Sequence, residues 1–112
     1  FISGRSQDDS SWLVVTMESD ESVKYYLFDN KTKDLKFLFS NQPALDKYHL
    51  QKMEPLVIKS RDGLNLVCYL TKANNFKEGS PSPLVAYIHG RPMSRDVYGF
   101  DKMAQLLSNR GY

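Results

Sequence analysis

Residues 84–88, Leu-Val-Ala-Tyr-Ile, form an unbroken apolar run between Pro83 and the segment His89-Gly90-Arg91-Pro92. A strand with one wet face alternates polar and apolar residues. A continuous run therefore asks for cover on both faces, the situation of a central strand in a parallel sheet. A helical stripe follows, with Phe100, Met103, Leu106 and Leu107 near the helical period. Arg110 supplies a basic last turn and Gly111 a left-handed cap. A covered strand followed by a helix opens a parallel α/β unit, which needs a further parallel strand to pair with. That strand would begin at Tyr112, the last residue, so the sequence predicts more chain beyond it. It also begins at Phe1, in mid-pattern.

The preceding hairpin is signalled locally. Leu56-Val57-Ile58 runs into Arg61-Asp62-Gly63, and residues 64–71 return. Asp-Gly between two apolar runs is a strong short-range hairpin signal, so Arg61 and Asp62 are read as turn chemistry. Farther upstream, residues 12–17, 23–28 and 35–39 are short runs rich in Val, Tyr and Phe, separated by Asp, Asn, Ser and Lys turns. This is the pattern of an antiparallel meander, either a free-standing small sheet or most of one propeller blade. Trp12, Tyr25, Tyr26, Phe28, Phe37 and Phe39 are expected in its core. Residues 41–54, interrupted by Pro43, hold no convincing period and read as a linker with at most a short helical turn.

Composition excludes several function classes. At 112 residues the chain has room for one small domain, and a net charge of +2 with scattered Lys gives no footprint for nucleic acid or an anionic membrane. No window is apolar enough to cross a membrane, and no signal-peptide pattern opens the chain. Cys68 is the single cysteine, which rules out an internal disulfide and a Cys-built zinc site. With only His49 and His89 beside it and no ligand spacing, neither a metal nor another cofactor is expected. Cys68 lies in an apolar run and reads as a core thiol, while His49 reads as a surface residue. Asn30-Lys31-Thr32 fits the glycosylation acceptor pattern, a triplet frequent by chance. The compartment is left open, with the cytoplasm slightly favoured.

A resemblance rests on motifs in one order: Ser60-Arg61-Asp62-Gly63-Leu64, Tyr69-Leu70-Thr71, Pro83-Leu84-Val85 with His89-Gly90-Arg91-Pro92, Arg95-Asp96-Val97-Tyr98-Gly99-Phe100, and Asn109-Arg110-Gly111-Tyr112. Residues 55–112 resemble the prolyl oligopeptidase family of serine peptidases, in its acylaminoacyl-peptidase-like and dipeptidyl-peptidase-like branch. The resemblance implies a β-propeller over an α/β-hydrolase domain that cleaves peptide bonds with a Ser, Asp, His triad. On that reading residues 1–40 are the last part of the propeller, 41–54 a linker, and 55–112 the start of the catalytic domain. The G-x-S-x-G elbow of the nucleophile occurs nowhere in the chain, so the triad is expected outside it.

One piece of the machinery carries over. In the resembling enzymes the loop reads His-Gly-Gly-Pro, and the N–H of its second Gly is an oxyanion donor. The matching residue here is Arg91, a departure, since Arg reaches positive φ less cheaply than Gly. Its backbone N–H is the expected oxyanion donor. His89 matches a structural His of the family, not the catalytic base. Arg95 and Asp96 are read as bracing a local turn, with Asp96 near a helix start. Peptides are the expected substrates of the full-length parent. A non-enzymatic β-rich binding module and a fragment of an α/β-hydrolase esterase are the alternatives. Pro92 after Arg91 and the 95–100 run favour the peptidase branch over the esterase.

Overall fold

A computed structural model describes residues 1–112. The chain divides into two compact units, residues 1–49 and 50–112.

The first unit is one antiparallel sheet of β1 (Ile2–Arg5), β2 (Ser11–Thr16), β3 (Lys24–Asp29) and β4 (Leu35–Ser40), in the order β1-β2-β3-β4. The turns between strands are built from short polar side chains. Asp8 Oδ1 accepts from Ser6 Oγ at 2.7 Å and from Ser10 Oγ at 2.8 Å, closing the turn between β1 and β2. Asp29 Oδ1 accepts from the backbone N–H groups of Lys31 and Thr32 at 2.8 and 3.0 Å, an Asx-type arrangement that starts the turn into β4. β1 goes beyond the sequence-based strands. Its own residues carry little signal, and its pairing with β2 through Ile2↔Val14 and Arg5↔Trp12 defines it.

Aromatic pairs meet across the strands, each in register: Trp12 with Phe28 (tilted), Tyr26 with Phe37 (edge to face) and Tyr25 with Phe39 (stacked), with ring centroids 5.3, 5.6 and 4.6 Å apart. Such pairs are the unit of sheet stabilisation, each contributing roughly 0.2–1 kcal/mol. A bulge between β3 and β4 leaves Leu38 without a register partner, so Phe37 and Phe39 fall on opposite faces. Both remain about half exposed, at 52% and 53%. Of the six aromatics expected in a core, these two are uncovered here, because neither face of the sheet has a covering layer within the unit. Val15 is the one apolar residue buried in the sheet. A single 3-10 turn, Pro43–Leu45, follows β4 and is tied back to the sheet. Asp46 Oδ1 accepts from Ser22 Oγ at 2.5 Å and from Ser40 Oγ at 3.3 Å.

The second unit is a hairpin with a helix. β5 (Met53–Lys59) and β6 (Asn65–Thr71) pair antiparallel over their full length, from Met53↔Thr71 at the open end to Lys59↔Asn65 at the turn. Gly63 takes φ 89°, and Asp62 accepts a short hydrogen bond from Ser60 Oγ, so the Asp-Gly signal sits at the turn. That bond holds the Asp62 carboxyl below its ordinary pKa. Cys68 is free and half-buried, opposite Leu56.

The helix α1 (Lys102–Asn109) is stitched across the open end of the hairpin. Gln105 exchanges two hydrogen bonds with the backbone of Gln51, just before β5, at 3.0 and 2.7 Å. Ser108, three residues on, donates to the carbonyl of Lys72, just after β6, at 2.7 Å. Residues three apart share a helix face, so one face holds both strand ends. The helix starts at Asp101, whose carboxylate accepts from the Ala104 N–H at 2.7 Å. Asp101 caps it, not Asp96, since a cap must lie three residues before the amide it accepts from. Arg110 ends it, its side chain donating to the Leu106 carbonyl at 3.2 Å, and Gly111 takes φ 88° as expected.

Residues 84–88 are not a strand. They pair with no strand, and Leu84 and Ile88 are 82% and 79% exposed. The pattern identifies a residue type suited to a buried strand, but a strand exists only through a neighbour's hydrogen bonds. Neither β5 nor β6 supplies them, and an unpaired segment leaves its amides to water. The structure is thus antiparallel β with one short helix. The parallel α/β arrangement anticipated for residues 55–112 is not assembled within it.

Candidate functional site

The loop from His89 to Phe100 carries every candidate residue singled out in the second unit. It runs over β6, and together they form an open cleft of about 370 Å³ lined by Val67, Tyr69, His89, Arg95 and Asp96. Val67 and Tyr69 share one face of β6 because side chains alternate along a strand. Tyr98 reaches back to Tyr69, ring centroids 6.3 Å apart, which holds the far end of the loop against the strand.

His89 is half-buried, with Nδ1 3.4 Å from the carbonyl of Gly90. No serine or carboxylate accompanies that imidazole in a nucleophile–base–orienter chain. Arg95 and Asp96 line the cleft beside it and form neither an ion pair nor a side-chain hydrogen bond. The turn-bracing role expected of them is therefore corrected. The turn here is closed by the Ser94 N–H donating to the Arg91 carbonyl at 3.2 Å, with no help from either charge.

Arg91 adopts φ 69°, in the left-handed region. Holding a side chain there costs about 1–2 kcal/mol relative to glycine. The chain has two other non-glycine residues at positive φ, Asp9 and Lys33, and both are anchored through their side chains. Asp9 accepts from the Trp12 indole at 2.6 Å, and Lys33 donates to Asn30 at 2.6 Å. The Arg91 guanidinium is exposed and touches no acid. Its backbone N–H likewise donates to no other group of the chain.

One cluster is invisible to sequence reasoning. Ser22, Ser40 and Asp46 converge in the first unit, with Ser22 and Ser40 hydroxyls 2.6 Å apart and both buried. A serine bonded to a carboxylate suggests nucleophile chemistry, but neither hydroxyl hydrogen-bonds to an imidazole or amine that could take its proton. The cluster anchors the 3-10 turn to the ends of β3 and β4. Ser22 lies 18 and 24 positions from Ser40 and Asp46, and only the sheet brings it to them.

No three His, Cys, Asp or Glu side chains gather as a metal-binding group, and no helix is long and apolar enough to cross a membrane.

No family model matches the chain, and no solved structure matches it. Two curated relatives do. A dipeptidyl aminopeptidase BIII of Pseudoxanthomonas mexicana is 39% identical over 117 aligned residues, covering 99% of this chain and 17% of that protein. A dipeptidyl peptidase family member 6 of Caenorhabditis elegans is 31% identical over 131, covering 99% of this chain and 18% of that protein. The chain thus spans about a sixth of the length of the relatives it matches. One is named a dipeptidyl aminopeptidase and the other a dipeptidyl peptidase family member, and each aligns along almost the whole of this chain.

Proposed function

We propose that this chain is a segment of a serine-type dipeptidyl peptidase, in the prolyl oligopeptidase manner, whose nucleophile, acid and base come from residues outside 1–112. The observation that carries the reading is the 39% identity to a dipeptidyl aminopeptidase along 99% of the chain. On it, residues 1–40 belong to the last blade of a propeller, 41–54 link it onward, and 55–112 open an α/β-hydrolase domain. The four-stranded meander with uncovered aromatic faces suits a blade, which packs between neighbours. The exposed run at 84–88 suits a central strand awaiting partners from the rest of the sheet. That same run argues against a free-standing binding module.

In this reading the Arg91 N–H is one donor of the oxyanion hole. An amide with no other acceptor, held in the conformation that glycine would take, is what the role requires. One such donor lowers the barrier by about 3–4 kcal/mol when aimed at the developing charge. His89 steadies the loop, and the peptide substrate supplies the carbonyl.

A fluorescent dipeptidyl phosphonate directed at active-site serines tests this. The full-length protein is expected to label covalently and to release dipeptides from peptide N-termini, whereas the isolated 112-residue chain stays unlabelled. A full-length protein that takes no label overturns the peptidase reading. Labelling of the isolated chain overturns the claim that the nucleophile lies outside it.

A further inference from the structure

Arg91 combines three properties that occur together nowhere else in the chain. Its backbone is left-handed, its side chain has no partner, and it sits on the loop assigned to the reacting carbonyl. The strain at Asp9 and Lys33 accompanies bonds their side chains make within the fold. At Arg91 nothing within residues 1–112 offsets the strain, so its benefit is to be sought in a group that meets it from outside them.

The neighbours narrow the chemistry. Gly90 and Pro92 flank Arg91 and carry no charge, and Met93 is 97% exposed, so no local acid neutralises the guanidinium. Asp96 lies in the cleft with Arg95, without a bond to Arg91. A planar cation with free donors recognises a carboxylate in particular, and two parallel N–H···O bonds add geometric selectivity.

We propose that Arg91 is a specificity residue, and that its guanidinium selects peptides bearing an acidic side chain next to the scissile bond. The proposal rests on the peptidase reading above and adds the substrate class to it. The backbone N–H of Arg91 meets the scissile carbonyl, which brings the side chain of the same residue close to the two amino acids flanking that bond. A Glu at either flank can reach the guanidinium; a Gln there offers a neutral acceptor in its place.

The experiment compares kcat/KM of the full-length protein on peptides with Glu or Gln at each flanking position. The expected Glu-to-Gln ratio is about tenfold at one or both positions, the scale of one charge-assisted hydrogen bond. Arg91→Gly is expected to bring that ratio near one, and Arg91→Lys to keep part of it, since the charge survives without the planar fork. Raising salt from ~0.05 to ~0.5 M is expected to shrink the wild-type ratio by screening. A ratio at or below one at both positions, or one unchanged in Arg91→Gly, overturns the proposal. Phosphonate labelling separates the two levels. An unlabelled full-length protein overturns the peptidase reading and this inference with it, whereas a labelled protein with a flat ratio overturns this inference alone.

Discussion

Replacing Ser108 with alanine tests whether the helix is held by its stitches to the hairpin. Ser108 is 1% exposed, and its hydroxyl donates to the Lys72 carbonyl at 2.7 Å and to Asn74 Oδ1 at 3.3 Å. Alanine fits the space and is a better helix former, so propensity slightly favours the variant. The loss lies in the carbonyl of Lys72, a half-buried residue, which alanine leaves without this donor. An orphaned group of that kind costs about 1–3 kcal/mol, and partial access to water places the expected value near ~1.5. That corresponds to roughly tenfold more frequent local opening. Amide hydrogen exchange read by NMR or mass spectrometry measures it residue by residue. Exchange across residues 102–109 is expected to accelerate about tenfold, while the amides of β2 and β3, in the other unit, stay unchanged. Less than twofold acceleration in the helix would refute the claim that this hydroxyl holds it. Equal acceleration in both units would refute the claim that the effect is local.

Two further outcomes follow from the turns. Gly63→Ala meets open space, so its cost is purely that of φ 89°, expected at about 1 kcal/mol and visible as faster exchange along β5 and β6, with Gly63→Asn milder. Hydrogen bonds from Ser6 and then Ser10 lower the Asp8 pKa from 3.8 to about 2. A carboxyl depressed in the folded state contributes stability that is complete above 3.8 and lost as pH falls through about 2. Carboxyl-carbon NMR is expected to show that midpoint, and Ser6→Ala to move it upward towards the ordinary value.

How far the sequence predicts this structure depends on whether a segment's partner is nearby. β2, β3 and β4 are legible because each is a short run of aromatic and aliphatic residues closed by polar turn residues. The β5–β6 hairpin is legible from Asp62-Gly63 alone. β1 is not, since Ile-Ser-Gly-Arg carries one apolar residue and becomes a strand only by pairing with β2. Residues 84–88 show the reverse case, a strong strand pattern with nothing to pair with. In the site, the sequence picks out Arg91 but not its backbone conformation, because an Arg gives no warning of a left-handed φ. The Ser22, Ser40 and Asp46 cluster leaves no trace in spacing. Asp101 does carry a signal, a carboxylate three residues before the first satisfied amide, and is outshone by Asp96 in a motif-bearing run.

The bulge at Leu38 has a bearing on how this chain behaves in concentrated solution. β4 is an outer strand, and a regular outer strand flanked by exposed Phe37 and Phe39 would be a template for another molecule's backbone. The extra residue breaks the spacing of outward-facing amides and carbonyls partway along, so an incoming strand can match one side of Leu38 and then falls out of step. Lys36 adds a charge to the stretch before the break, where an identical copy would bring a second one. An irregularity of one residue thus guards against fibre-like stacking while leaving both aromatic faces open for contacts of a different geometry.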